Sequence, residues 1–260
     1  MYRIDRHGVA ICFQDVGKGA PPLVLIHELG CDHTTFEPQI SHFRRNHRVV
    51  AVDMRGHGES DKPENGYSIQ CLADDIAWLN YELGLYAPVV VGHGLGGMVA
   101  IDLAARYPKI LSGVVALDSP ILPPEIDALR QLLSKRLRAP AFRETLLDEN
   151  RSLTDAGLNR LDIMLRSAYS MSEQSFVSVL ESILAWDSAA AVASCRAQIL
   201  YIDTSGQSAD PDHFLNLRPQ IVVARTEGVG HFCHLELPGK VNEMIECFMA
   251  RKPNPPPFRE

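Results

Sequence analysis

The segment Gly92-His93-Gly94-Leu95-Gly96 decides the fold of this chain. It lies between the apolar run of residues 87–91, Ala-Pro-Val-Val-Val, and the helical pattern of residues 98–105. Small residues between a buried strand and a helix predict a sharp turn with a strained backbone, which lifts one side chain above the sheet. That side chain would belong to position 94, where glycine offers nothing that can react. A turn of this kind can also bind a phosphate, so its interpretation depends on the rest of the sequence.

Two further segments have the pattern of a strand followed by a turn. Residues 23–26 are apolar and run into His27-Glu28-Leu29-Gly30, which would present the backbone N–H of Leu29 beside that of Leu95. Residues 49–53 lead into a charged, glycine-rich turn. In that turn we expect three polar side chains to brace the loop rather than to react: Arg55, His57 and Ser60.

A histidine late in the sequence is the candidate proton carrier. His231 follows the apolar strand of residues 221–224 and precedes the last predicted helix. A histidine on such a loop can take a proton from a nucleophile and return it to a leaving group.

Taken together, these segments resemble the α/β-hydrolase superfamily, in the family's order, over about residues 9–250. The resemblance implies an α/β fold with a mostly parallel, eight-stranded sheet, helices on both faces and a helical cap. It also implies that the nucleophile, acid and histidine stand on loops at the carboxyl ends of strands. In this sequence Gly94 holds the nucleophile position, His231 the base position, and Leu29 and Leu95 the two amides of the oxyanion hole.

The acid of the implied triad has more than one candidate. The strand of residues 197–202 is followed by a turn that departs from the usual glycine-then-aspartate pattern, with Asp203 and Asp210 as its carboxylates. The earlier strand of residues 113–117 ends in Asp118, an arrangement similar to haloacetate dehalogenases and cofactor-free ring-opening dioxygenases. We favour Asp118, for which a cap of the following turn is the structural alternative.

Glycine at position 94 has three interpretations. It can replace a serine and disable a Ser-His-Asp type triad. It can be native, with His231 acting on water or a substrate proton in a lyase, a cofactor-free oxygenase or a carbon–carbon hydrolase. It can also mark a receptor that binds a small ligand without chemistry. The continuation Leu95-Gly96-Gly97 is similar to serine esterases, which favours a disabled hydrolase of small-molecule carboxylic esters or lactones.

Composition limits the possible partners. The 260 residues are 46% hydrophobic, enough for one α/β core with an insertion. A net charge of −7 gives no reason to expect nucleic acid or an anionic membrane as a partner. The first residues lack a long apolar segment, which predicts a cytoplasmic protein without signal peptide or anchor. A monomer and a homodimer both remain open.

Cysteine and histidine usage predicts neither a disulfide framework nor a metal site. The ten histidines show no spacing typical of metal ligands, so we expect no metal and no cofactor. The cysteines are scattered, as reduced thiols are: Cys12, Cys31, Cys71, Cys195, Cys233 and Cys247.

Strand signals stop between residues 121 and 193, where helical patterns take over. Residues 125–133 and 175–184 carry apolar side chains at helical spacing. We therefore expect a helical cap at 121–193, inserted between two parts of the α/β core at 1–120 and 194–260. Such a cap would shape the substrate pocket and control access to it.

Three residues are candidates for substrate contact: Glu28, His33 and Trp186. Glu28 departs from the glycine that the resemblance implies after the histidine of the oxyanion loop. Its side chain would either narrow the pocket mouth and repel anionic substrates, or point outward.

Overall fold

The computed structural model describes residues 1–121, 127, 130–131, 171–204 and 221–251. The strands are β1 (Tyr2–Arg6), β2 (Val9–Val16), β3 (Leu23–Ile26), β4 (Val49–Asp53), β5 (Val89–His93), β6 (Gly113–Leu117), β7 (Gln198–Asp203) and β8 (Ile221–Arg225). The helices are α1 (Glu37–Phe43), α2 (Ile69–Glu82), α3 (Leu95–Arg106), α4 (Glu173–Ala185), α5 (Ser188–Ser194), α6 (Cys233–Glu236) and α7 (Pro238–Ala250), and a 3-10 turn spans His33–Phe36.

The strands form one eight-stranded sheet in the order β1-β2-β4-β3-β5-β6-β7-β8. β1 and β2 pair antiparallel with each other, β2 pairs antiparallel with β4, and β3 to β8 run parallel. The central strands β4, β5 and β6 are buried along their whole length and mostly apolar, as expected when both faces of a parallel sheet are covered, with Asp53 and His93 at the carboxyl ends of β4 and β5. The predicted mostly parallel, eight-stranded α/β sheet is confirmed.

Each face of the sheet has its own hydrophobic core. On one face, apolar side chains of α2, α3, α4 and α5 pack against the strands, with Met98 and Val99 among the fully buried ones. On the other face, α1 and α7 cover the sheet with side chains such as Ile40 and Ile245. The prediction of helices on both faces is therefore confirmed.

The strand order reverses direction at β3, which lies between β4 and β5. Loops at such a switch point diverge and leave a crevice outside the carboxyl ends of the strands. Ile26 of β3 pairs with Gly92 of β5, so Glu28 and Gly94, each two residues further on, face each other across this crevice. His93 pairs with Leu117 of β6, which brings Asp118 beside Gly94.

The predicted cap lies largely outside the described residues. The helix predicted over 175–184 is present within α4, whereas the one predicted over 125–133 falls mostly on residues that the structure does not describe. The boundaries 1–120, 121–193 and 194–260 therefore stay a prediction.

Within the described part of the chain, no single helix is long and apolar enough to cross a membrane. The consecutive helices α4 and α5, bent by 66° at their junction, meet that criterion only when taken as a pair, by length and composition. All six cysteines are free thiols, as their scattered spacing predicts.

The turn after β4 is tied down by buried polar contacts. The Arg55 guanidinium donates to both carboxylate oxygens of Asp75 in α2, and Arg6 contacts the same carboxylate. The Ser60 hydroxyl donates to the carbonyl of Asp53 at 2.6 Å and accepts from the backbone N–H of Cys12 at 2.8 Å. These contacts are those of residues that brace a turn.

Arg55→Met tests this bracing role. We expect the free energy of unfolding to fall by about 3 kcal/mol, because a buried carboxylate would lose its main counterion. Arg106→Met is the matched control, since its ion pair with Asp74 is partly exposed and is expected to contribute about 1 kcal/mol or less. Urea denaturation of both variants measures the difference, and equal losses would contradict the assignment.

Candidate active site

Gly94 forms the turn between β5 and α3, with φ +50° and ψ −113°. This is the left-handed region that favours glycine, and the Gly94 N–H donates to the carbonyl of Leu117 at 3.0 Å. A Cβ atom built at this position would stand 1.1 Å from Oε2 of Glu28. The carboxylate of Glu28 therefore occupies the space in which a side chain at position 94 would begin.

The two amides expected to form an oxyanion hole both bind the Glu28 carboxylate. The N–H of Leu29 donates to Oε1 at 2.8 Å, and the N–H of Leu95, at the first turn of α3, donates to Oε2 at 2.7 Å. The positive end of the α3 dipole adds to the attraction for a negative charge. Glu28 thus points inward, and its carboxylate fills the site that an oxyanion would take.

A buried histidine fixes the backbone that carries Glu28. The N–H of Met54 donates to Nε2 of His27 at 3.0 Å, so Nδ1 of His27 carries the proton and donates to the Glu28 carbonyl at 2.7 Å. Burial lowers the pKa of His27, which keeps the ring neutral and this pair of hydrogen bonds intact. The loop after β3 is thereby anchored to the turn after β4.

His231 lies between two carboxylates. Its Nδ1 donates to Oδ2 of Asp118 at 2.7 Å, and its Nε2 is 3.7 Å from Oε2 of Glu28. The side chain of His231 is 37% exposed, whereas that of Glu28 is only 16% exposed. The ring of His93 lies at a centroid distance of 4.4 Å from that of His231, tilted by 40°, and its Nε2 donates to the His231 carbonyl at 2.9 Å.

The electrostatics of this cluster favour the imidazolium form. Burial lowers the pKa of His231, but hydrogen bonds and charges from Asp118 and Glu28 outweigh it and raise the pKa to about 10. At neutral pH His231 therefore holds a proton at Nε2. In this state the ring can donate a proton, and it becomes a base only after one of the neighbouring charges is removed.

Of the two candidate acids that the structure describes, Asp118 is the one that lies beside His231. Its backbone has a positive φ of +41°, an unusual conformation for a residue other than glycine and one found at functional sites. Asp203 is fully buried at the end of β7, where Arg225 lies 3.2 Å from its carboxylate. Asp210 lies outside the described residues.

The two other residues named for substrate contact make contacts of a structural kind. Both the backbone N–H and Nδ1 of His33 lie 2.8 Å from one carboxylate oxygen of the buried Asp53. Trp186 is 2% exposed, and its indole N–H donates to Asp102 of α3 at 3.0 Å. Neither of these contacts belongs to the cluster around Gly94.

Two groups of described residues have the atoms to hold a cation. In the first, ligand atoms of Glu28, His93 and His231 lie within 4.8 Å of one another. Nε2 of His93 already donates to the His231 carbonyl, and Nδ1 of His231 already donates to Asp118. In the second group, Asp32, His33 and Asp53, the imidazole is already bonded to Asp53. We assign no metal to either group.

Sequence reasoning missed the main feature of this site, the carboxylate of Glu28 over Gly94. The signal was present as two departures from the expected pattern, one at position 28 and one at position 94. Their link became visible only when the register of β3 and β5 placed the two residues opposite each other.

Comparison with known proteins gives the family. The model of the alpha/beta hydrolase family matches residues 23–244, and the chain belongs to that family. Over 129 residues it is 37% identical to the 2-(acetamidomethylene)succinate hydrolase of Mesorhizobium japonicum. This aligned stretch covers 49% of this chain and 46% of that protein. The chain spans less than half the length of the curated relatives it matches.

Solved structures show the same architecture. The crystal structure of E-2-(acetamidomethylene)succinate hydrolase has a TM-score of 0.77 and 25% identity, and covers 95% of this chain and 98% of that one. Est816, described as an N-acyl homoserine lactone degrading enzyme, has a TM-score of 0.79 and 24% identity, with 95% and 100% coverage. At 24% identity, the likeness to Est816 shows the fold alone.

The pKa of His231 tests the charge arrangement. We expect Glu28→Gln to lower this pKa from about 10, because one of the two flanking negative charges is lost. NMR titration of the imidazole measures the shift, and Glu59→Gln, a change at an exposed carboxylate on the turn after β4, is the control.

The raised pKa of His231 also predicts how the free energy of unfolding depends on pH. A pKa raised in the folded state gives stabilisation that is present below the unfolded pKa of about 6.5 and is lost as pH rises through about 10. The free energy of unfolding of Glu28→Gln should therefore fall less than that of the parent as the pH rises from about 6.5 to about 10. An unchanged His231 pKa in Glu28→Gln would contradict the arrangement.

Proposed function

We propose that this protein is a hydrolase of small-molecule carboxylic esters or lactones, built on a Ser-His-Asp type triad that Gly94 disables. The observation that carries the proposal is the convergence of four groups on the space above Gly94. These are the Asp118–His231 pair, at 2.7 Å, and the backbone N–H groups of Leu29 and Leu95, which both bind one carboxylate. Proton transfer and anion binding thus meet at one point.

Acyl transfer needs these groups and one more. A nucleophilic hydroxyl attacks the carbonyl carbon while an imidazole takes its proton, and two N–H donors hold the oxyanion that develops. Asp118 would orient His231 and stabilise its charged form. The hydroxyl is missing, since position 94 is glycine.

The substrate class is proposed from sequence and relatives together. The continuation Leu95-Gly96-Gly97 after the turn is similar to serine esterases. Among relatives, one is named as the hydrolase of a substituted succinate, and a structural neighbour is described as degrading N-acyl homoserine lactones. The proposed cap of residues 121–193 would cover the crevice and set the size of the acyl and alcohol groups it accepts.

The disabled state involves two positions. A side chain at position 94 meets the Glu28 carboxylate, and that carboxylate fills the oxyanion hole. A hydroxyl introduced at 94 would therefore lack both space and an anion site until Glu28 is removed. Glu28 and Gly94 therefore both prevent catalysis by a serine at position 94.

The double substitution Gly94→Ser with Glu28→Gly tests the proposal. We expect it to raise hydrolysis of short, medium and aromatic esters or of lactones by about a thousandfold or more over the parent chain. Gly94→Ser alone should gain much less, because the Glu28 carboxylate then competes with the new side chain. Initial rates with p-nitrophenyl esters and a lactone panel measure this.

Two controls sharpen the result. His231→Asn in the double variant should remove the gained activity, because no group would then take the proton of the hydroxyl. Asp118→Asn should reduce it through kcat. A folded double variant that is silent toward every ester and lactone in the panel would refute the proposed activity.

A further inference from the structure

A serine triad has no use for Glu28, yet this residue holds the centre of the site. We propose that the Glu28 carboxylate is itself a catalytic nucleophile, which displaces a leaving group from a saturated carbon in the chain as it stands. This inference does not rest on the ester chemistry above, because that chemistry needs a hydroxyl at position 94. It assigns a reactive group to a site that lacks one at the usual place.

The position of the Glu28 carboxylate supports this role. Oε2 of Glu28 lies 1.1 Å from where the Cβ of a side chain at position 94 would stand, so an oxygen already occupies the space in which that side chain would begin. This oxygen belongs to a side chain on the loop after β3, not on the turn after β5. The pairing of Ile26 with Gly92 places the two loops opposite each other. A glycine at 94 is what gives this carboxylate room.

Preorganisation is the second argument. Each carboxylate oxygen accepts one backbone N–H, from Leu29 at 2.8 Å and from Leu95 at 2.7 Å, so the group is held in one orientation. His27 fixes the Glu28 carbonyl as well. A carboxylate of Asp or Glu held in this way can form a covalent intermediate, provided that the electrophile reaches it.

The occupied amides decide which carbon is attacked. Attack on a carbonyl would develop an oxyanion, and the two N–H groups placed to hold one already bind Glu28. Attack on a saturated carbon develops its charge on the leaving group instead. It yields an ester, which is much less reactive than the anhydride that attack on a carbonyl would give. The geometry therefore favours displacement over acyl transfer.

The surrounding charges narrow the substrate class. In-line displacement sends the leaving group away from Oε2, whereas Nε2 of His231 stands beside that oxygen at 3.7 Å. A leaving group that departs as a stable anion, such as a halide, needs no proton from this histidine. Two carboxylates around one imidazolium leave a net negative charge, which favours a neutral electrophile over an anionic one.

The reaction balances in two steps. First, a lone pair of Glu28 Oε2 forms the bond to carbon, and the halide leaves with the electron pair of the bond that breaks. His231 then releases its proton to solvent. Water loses a proton to the neutral His231 and attacks the carbonyl carbon of the Glu28 ester, and the oxyanion develops on Oε1, which accepts from the amide of Leu29. The acyl C–O bond breaks, the alkoxide takes the proton from His231, and the carboxylic acid left at Glu28 passes its proton to His231, which restores the starting state. The products are an alcohol, a halide ion and the one proton that His231 released to solvent.

The first step prepares His231 for the second. Glu28 as an ester is neutral, so one of the two negative charges that raise the His231 pKa disappears. The ring then gives its proton to solvent more readily and can act as base toward water, with Asp118 still orienting it at 2.7 Å. Neutralisation of Glu28 thus converts a proton donor into a proton acceptor.

The experiment uses the full chain and 1-bromobutane as the probe. We expect bromide release by the parent, and a drop of about a thousandfold or more in Glu28→Gln. In His231→Gln, which lacks the base for the second step, one butyl group should accumulate on Glu28, located by peptide mass spectrometry. A single turnover of the parent in ¹⁸O-labelled water should leave the label on the Glu28 carboxylate.

Matched controls make each outcome decisive. Glu59→Gln, at an exposed carboxylate on the turn after β4, should match the parent in bromide release. The adduct should vanish from the combined Glu28→Gln, His231→Gln variant. Butylation confined to cysteine or histidine, or bromide release equal in parent and Glu28→Gln, would overturn the proposal. Since Gly94→Ser with Glu28→Gly lacks this carboxylate, its esterase test succeeds or fails independently.

Discussion

The hydrogen bonds from two backbone N–H groups to the Glu28 carboxylate are the interaction on which the site depends. Leu29 and Leu95 come from loops after different strands, and a single side chain connects them across the crevice. Because the carboxylate binds both, it fills the anion site and excludes a side chain at position 94. The position of this carboxylate also contributes to the charge of His231, together with Asp118.

The charge pattern is the second consequence. With Glu28 in place, His231 faces a carboxylate on each side, and its pKa rises to about 10. A triad histidine that must deprotonate a hydroxyl works best when its pKa is near the working pH. The cluster therefore starts as two carboxylates around one imidazolium, a state suited to a carboxylate nucleophile and a proton-holding partner.

The scaffold that presents these groups is ordinary for the family. Parallel strands bring their carboxyl ends to one edge, and the reversal of strand order at β3 opens the crevice there. Buried polar contacts such as the Arg55–Asp75 pair and the hydrogen bonds of His27 hold the surrounding turns. A rigid frame of this kind permits an unusual reactive group at its centre without a change of fold.

The sequence by itself determined the sheet, its helices and the positions of Gly94 and His231, because apolar strand runs and glycine turns are local signals. It also ranked Asp118 among three carboxylates, and the structure then brought that residue to within 2.7 Å of His231. The sequence left the direction of Glu28 open, since a side chain on a loop can turn inward or outward. Only the tertiary structure decided that, because the register of β3 against β5 and the amide from α3 come from residues distant along the chain.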